Sequence, residues 1–165
     1  IDCYMSAGTA ETLALDPDHR LHIVRNLKQF EIGSWTIKPF ATVHDAPEPL
    51  GFLLASGSEK LLFATDTAWI GYRFREVSHL MVECNYSEAI LQERCGLGNP
   101  GALAQKNRLL FSHMSLETLL HWLAEFERSV MREVWLLHVS ARNADAAEIV
   151  ARVSEIVNCP VFVAG

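Results

Sequence analysis

Apolar and polar positions follow two rhythms along this chain, and the change between them divides it. Up to residue 84 the apolar residues come in short runs bounded by turn formers, the signature of strands. Residues 21–43 read as strands, with Gly33-Ser34 turning KQFEI back onto WTIKPFATV. GFLLASG and KLLFAT then form a hairpin through Ser56-Gly57-Ser58, and HLMVEC (79–84) is a further buried strand. One short helix, GTAETLAL (8–15), precedes them, with Thr9 in position to cap it.

Beyond residue 84 strands alternate with helices. Residues 86–94 look helical, and RLLFS (108–112) reads as a strand that delivers His113. In SLETLLHWLAEF, Leu116, Leu119, Leu120 and Leu123 share one face behind Ser115, a plausible N-cap. Strand EVWLLHV leads to a helix from Asn143 to about Val157, with Ile149, Val150, Val153, Ile156 and Val157 inward. PVFVA is the last strand. A sheet-rich first half followed by βαβ-like units predicts a layered α/β architecture.

Composition narrows the class. The chain has 165 residues, 50% of them hydrophobic, which suits a single domain over 1–165 with a real core. Its net charge of -6 argues against a broad basic surface for nucleic acid, while leaving room for a local, metal-assisted phosphate site. No apolar stretch approaches the ~18 residues that span a bilayer, and no signal peptide opens the chain, so no membrane partner is expected. Cys3, Cys84, Cys95 and Cys159 lack CxxC spacing and read as reduced, structural thiols of a cytoplasmic protein. The chain starts at Ile1, and Asp2-Cys3-Tyr4 already resembles the inside of a fold, as expected of a piece of a longer chain.

In layered α/β folds reactive groups gather where strands leave the core. His44 follows ATV, Asp66 follows KLLFAT, and His138 ends EVWLLH. Two imidazoles and a carboxylate form a ligand set for zinc, manganese or iron. Taken singly, each has a plainer reading: a hydrogen-bonded histidine at a strand end, or an aspartate capping a turn. Together they favour metal, because LLFATDTAWIG contains no lysine or arginine to balance Asp66 and a divalent cation would do so.

The ordered segments TVHDAPEPLGFLL, KLLFATDTA, HLMVECNYS, SHMSLETLL and LLHVSARNADAAEIV resemble the metallo-β-lactamase-fold hydrolases. The likeness is greatest to the branch near ribonuclease Z, the cyclic phosphodiesterase of phosphonate metabolism and HDA-motif exonuclease-like proteins. It implies an αββα sandwich, incomplete here for want of its N-terminal strands. It also implies two divalent transition metals, zinc or manganese. His44 and His138 would be metal ligands, and Asp66 a ligand bridging the two ions. A hydroxide held between the metals would attack a small phosphodiester or a nucleic-acid end. The family's H-x-H-x-D-H string is absent; Asp18-His19-Arg20-Leu21-His22 has the wrong spacing and reads as a solvated loop. The chain is then either a C-terminal portion, expected to bind metal poorly alone and to self-associate across an open face, or a member that has lost its site.

Several residues keep two readings. The resemblance gives His113 a proton-donor role or one behind the metal ligands; a structural histidine at a helix start is the other reading. Ser140 either caps a backbone group beside His138 or touches substrate. Asp45 either orients an imidazole or holds its loop. Glu83 either faces the site or caps the next helix. His79 and His121 show no chemistry, and Trp122 and Trp135 read as core. Besides phosphodiester hydrolysis, two functions remain open: lactam, lactone or thioester hydrolysis on the same fold, and a non-catalytic domain.

Overall fold

The alternating runs assemble into one large sheet. The computed structural model describes residues 1–16, 18–94 and 100–164, with 100–105 described by backbone alone. The seven strands lie side by side in chain order: β3 (Phe30–Ile32), β4 (Trp35–Ala41), β5 (Leu50–Ser56), β6 (Glu59–Ala64), β7 (His79–Glu83), β8 (Glu133–Leu137) and β9 (Val161–Val163). The first four pair antiparallel and the last four pair parallel. Gly33 and Gly57, both at φ +58°, make the two tight hairpin turns, where a left-handed backbone favours glycine. A separate two-stranded parallel sheet joins β1 (Cys3–Met5) to β2 (Leu21–Ile23).

Side chains alternate across the sheet, so each strand contributes one row to each face. Leu62, Ala64, Leu80, Val82, Val134 and Leu136 form the buried row. Against it pack Leu116, Leu119, Trp122 and Leu123 of α4 (Leu116–Ala124), and Ile149 and Val153 of α5 (Ala146–Ser154). Trp122 is therefore core. Trp135 is not: with Trp35, Leu61 and Met81 it lines an apolar groove of about 480 Å³ on the opposite face, where it stacks on Phe162 at 4.7 Å.

Local chemistry moves several boundaries from those the pattern predicts. α1 spans Ala7–Thr12 with Ser6, not Thr9, as its cap; Ser6 Oγ accepts the Thr9 N–H. α2 begins at Glu88 and ends at Arg94. α5 starts after Asp145, whose carboxylate accepts the Ala147 and Glu148 N–H groups. RLLFS is helical, the end of α3 (Pro100–Ser112). Its three apolar residues do not make a buried row: Leu110 is 41% and Phe111 76% exposed. Among the described residues no helix is long and apolar enough to cross a membrane.

Cys3, Cys84 and Cys159 are free thiols; Cys95 lies outside the described residues. Burial and the nearby Glu117 and Glu83 push the Cys84 thiol up to about 12. In the native protein at neutral pH, iodoacetamide is expected to label exposed Cys3 and spare Cys84, as read by peptide mass. Rapid labelling of Cys84 would contradict its buried setting.

Candidate metal centre

The carboxyl ends of β4, β6, β7 and β8 point to one edge of the sheet, because β4 and β6 both oppose β5 and β6–β8 run parallel. His44, Asp66, Glu83 and His138 lie at or just past those ends. Asp66 and His138 have left-handed backbones, φ 48° and 53°. Such conformations are uncommon for residues other than glycine and cluster where a side chain must be aimed.

Buried Thr67 joins two of these loops. Its Oγ1 accepts the Val43 N–H at 3.0 Å and donates to the Trp69 carbonyl at 2.8 Å. The Ala68 N–H reaches the Val43 carbonyl at 2.8 Å, fixing the His44 loop to the Asp66 loop. His113 arrives differently, from the junction of α3 and α4. Asn85 N–H donates to Met114 O at 2.9 Å and Leu116 N–H to Tyr86 O at 2.8 Å, binding that junction to the segment after β7. Asn85 Nδ2 also donates to the His138 carbonyl at 2.8 Å.

Glu83 sits at the centre, fully buried. One of its oxygens accepts the Thr67 N–H at 2.6 Å. The other lies 2.6 Å from His113 Nδ1 and 3.0 Å from His138 Nδ1. A carboxylate only accepts, so both imidazoles donate from Nδ1 and keep Nε2 for other work. The hydrogen bond donated to Glu83 holds the His113 pKa above its ordinary value against the effect of burial, helped by the charges of Glu83, Asp66 and Asp45.

Asp66 Oδ1 lies 3.2 Å from His138 Nδ1, 3.9 Å from His113 Nδ1 and 3.9 Å from His44 Nε2. The His44 and His113 rings are 5.3 Å apart, and those of His113 and His138 5.0 Å. Donor atoms of Asp66, Glu83, His113 and His138 all lie within 4.8 Å of one another, with His44 alongside. Ligands at ~2.0–2.2 Å from one ion are separated by up to about 4.4 Å, so this mixed imidazole–carboxylate set lies close to the spacing that a divalent transition metal needs and has the donor chemistry for one. Glu83 has both oxygens engaged. Half-exposed Asp66 is the carboxylate better placed to meet an ion.

Asp45 Oδ1 lies 3.1 Å from His44 Nδ1, while its Oδ2 accepts from Arg108 Nε at 2.8 Å. The Arg108 hydrogen bond and charge hold the Asp45 carboxyl below its usual range, assisted by His44. Ser140 Oγ accepts the Arg142 and Asn143 N–H groups at 3.3 and 3.2 Å, closing the turn after His138. The other histidines lie elsewhere. His79 starts β7, at the end opposite Glu83, and His121 is exposed beside Glu125. His22 stacks on Tyr4 and His19 is exposed.

From the sequence Glu83 has two readings, and Thr67, Asn85 and Arg108 have no assigned role. The available signal was positional: HLMVE lies beside KLLFA in parallel, so Glu83 ends at the same edge as Asp66.

No protein-family profile matches the chain, and none of the curated proteins matches it in sequence. Solved structures do match in fold. Zn(2+)-bound PqqB from Methylobacterium extorquens aligns with a TM-score of 0.68 at 14% identity, over 98% of this chain and 61% of its own. The metallo-β-lactamase fold protein YhfI from Bacillus subtilis gives 0.65 at 14% identity, with the same shares, 98% and 61%. A diphosphatase from the PhnP family gives 0.59 at 13%, over 98% of this chain and 54% of its own. The chain has the metallo-β-lactamase fold and spans about three-fifths of the length of the first two of these proteins.

Proposed function

We propose that this chain carries the carboxyl-terminal half of a binuclear metal-dependent hydrolase site, and that the whole protein cleaves phosphodiesters. The observation that carries the reading is the meeting of His44, Asp66, His113 and His138 around buried Glu83 at one sheet edge. His44, Asp66 and His138 would hold the metal ions, zinc or manganese. When bound, such ions supply Lewis acidity and make water a nucleophile at neutral pH.

The chain's own groups do the rest. Glu83 fixes the His113 and His138 rings, and Asp45 fixes the His44 ring. His113, whose pKa the hydrogen bond to Glu83 raises, acts as the general acid that delivers a proton to the leaving alkoxide. Ser140 Oγ already accepts two backbone N–H groups, so its own proton is what it offers a substrate oxygen.

Phosphoester is favoured over lactam, lactone or thioester by the PhnP-family diphosphatase among the fold neighbours and by a cationic Arg108 beside the site. The net charge of -6 favours a small phosphodiester, or the end of a nucleic acid, over a long duplex. Free thiols suit a cytoplasmic setting. Chelation of the full-length protein is expected to abolish hydrolysis of a chromogenic phosphodiester, and manganese or zinc to restore it. Equal rates before and after chelation would overturn the metal mechanism. Turnover confined to a lactam or thioester would establish the alternative substrate class.

A further inference from the structure

We infer that Arg108 is the substrate-anion clamp of this site, a specificity residue that binds the phosphoryl oxygens at its mouth; the inference rests on the phosphodiester reading. Arg108 lies in α3, just over one helical turn before His113. Its Nε donates to Asp45 Oδ2 at 2.8 Å, and Asp45 Oδ1 meets His44 Nδ1 at 3.1 Å. A guanidinium is thus tied, through one carboxylate, to an imidazole that faces Asp66.

Two features separate this arrangement from a surface ion pair. The tether uses Nε, the inner nitrogen of the fork, while the side chain remains 74% exposed. The terminal nitrogens, which match two oxygens of a phosphate, are not the atoms bound to Asp45. Its position is the second: Asp45 ties Arg108 to His44, which faces Asp66, so the guanidinium stands beside the histidine cluster. Among the described residues, Arg108 is the permanent cation paired to a carboxylate of this cluster. Holding it by Nε also reduces the rotamer freedom lost when an anion docks.

The test compares wild type with R108Q and R108K in the metal-loaded, full-length protein. Inorganic phosphate is titrated by calorimetry, and KM and kcat are measured on a chromogenic phosphodiester. R108Q is expected to weaken phosphate about 10-fold and to raise KM similarly with kcat nearly constant, because the lost contact binds substrate and transition state alike. R108K should fall between, keeping the charge without the fork. Its intermediate affinity also separates loss of the clamp from general misfolding. Unchanged phosphate affinity in R108Q, or a fall in kcat with KM unmoved, would overturn the inference. So would a wild type that binds no phosphate. If turnover proves confined to thioesters or lactams, the phosphodiester reading fails, while the phosphate titration still decides for or against Arg108 as an anion site.

Discussion

Asp66→Asn is expected to abolish metal-dependent stabilisation and turnover while leaving the fold in place. Asparagine has nearly the same size and tolerates the left-handed backbone that Asp66 adopts at φ 48°. The substitution therefore removes a charge and an anionic donor with little added strain. Neither of the other two carboxylates can replace it. Glu83 is buried and bonded to Thr67, His113 and His138, while Asp45 is shared between His44 and Arg108. Loss of a group that only orients a ligand costs about 10–100-fold in metal affinity, and loss of Asp66 should exceed that. A metal present at ~100 times its dissociation constant stabilises the folded state by about 2.7 kcal/mol. The full-length wild type should show the corresponding rise in melting temperature on titration with manganese, and Asp66→Asn should not. A variant that binds metal as tightly as wild type would remove Asp66 from the ligand set.

His113→Asn makes the complementary comparison. It removes the proposed proton donor, whose contribution is typically 10²–10⁴-fold in rate, but not the carboxylate proposed to hold the ions. Metal content should stay near that of wild type while turnover falls. The two variants together separate holding the metal from moving the proton.

The strands and the edge they share were legible because burial writes itself into periodicity. Leu62, Leu80, Val134 and their neighbours read as apolar runs since the sheet's core face is dry. Once the strands are aligned, the convergence of His44, Asp66 and His138 is a matter of strand direction. RLLFS was illegible for the same physical reason. Arg108–Ser112 carries a short apolar run without the company of a periodic neighbour, and strand and helix then look alike. Phe111 stays exposed there, so its hydrophobicity does not report a core position.

Glu83 shows the other limit. A carboxylate after Leu80-Met81-Val82 reads equally as a cap or a site group, because sequence does not display the two imidazoles and the amide that make its burial tolerable. Arg108 and Asp45 are 63 residues apart, and no local pattern links them. The residues proposed to hold metal sit at or just past rigid strand ends, where order along the chain carries information. Their supporting partners come from loops and a helix, where it carries much less.

The dependence of the fold on Glu83 leads to a second large effect. Glu83→Ala would leave the buried Thr67 N–H without its acceptor and deprive His113 and His138 of their shared partner. Breaking a buried ion pair by removing one member costs about 3–5 kcal/mol, a large share of the ~5–15 kcal/mol that stabilises a typical domain. Glu83→Gln is milder, since its amide oxygen can still accept the Thr67 N–H, but it removes the charge that favours protonated His113. The pH dependence follows in sign. The His113 pKa is raised above its unfolded value, near 6.5, first by the hydrogen bond to Glu83. The folded state therefore holds that proton more tightly. The resulting stability is complete below about pH 6.5 and is lost as pH rises through the higher folded-state value. Metal-free wild type should melt at progressively lower temperature as pH climbs through that window, and Glu83→Gln should flatten the profile. A wild-type melting temperature that rises over the same interval would show that the Glu83–His113 pair is not charged in the folded protein.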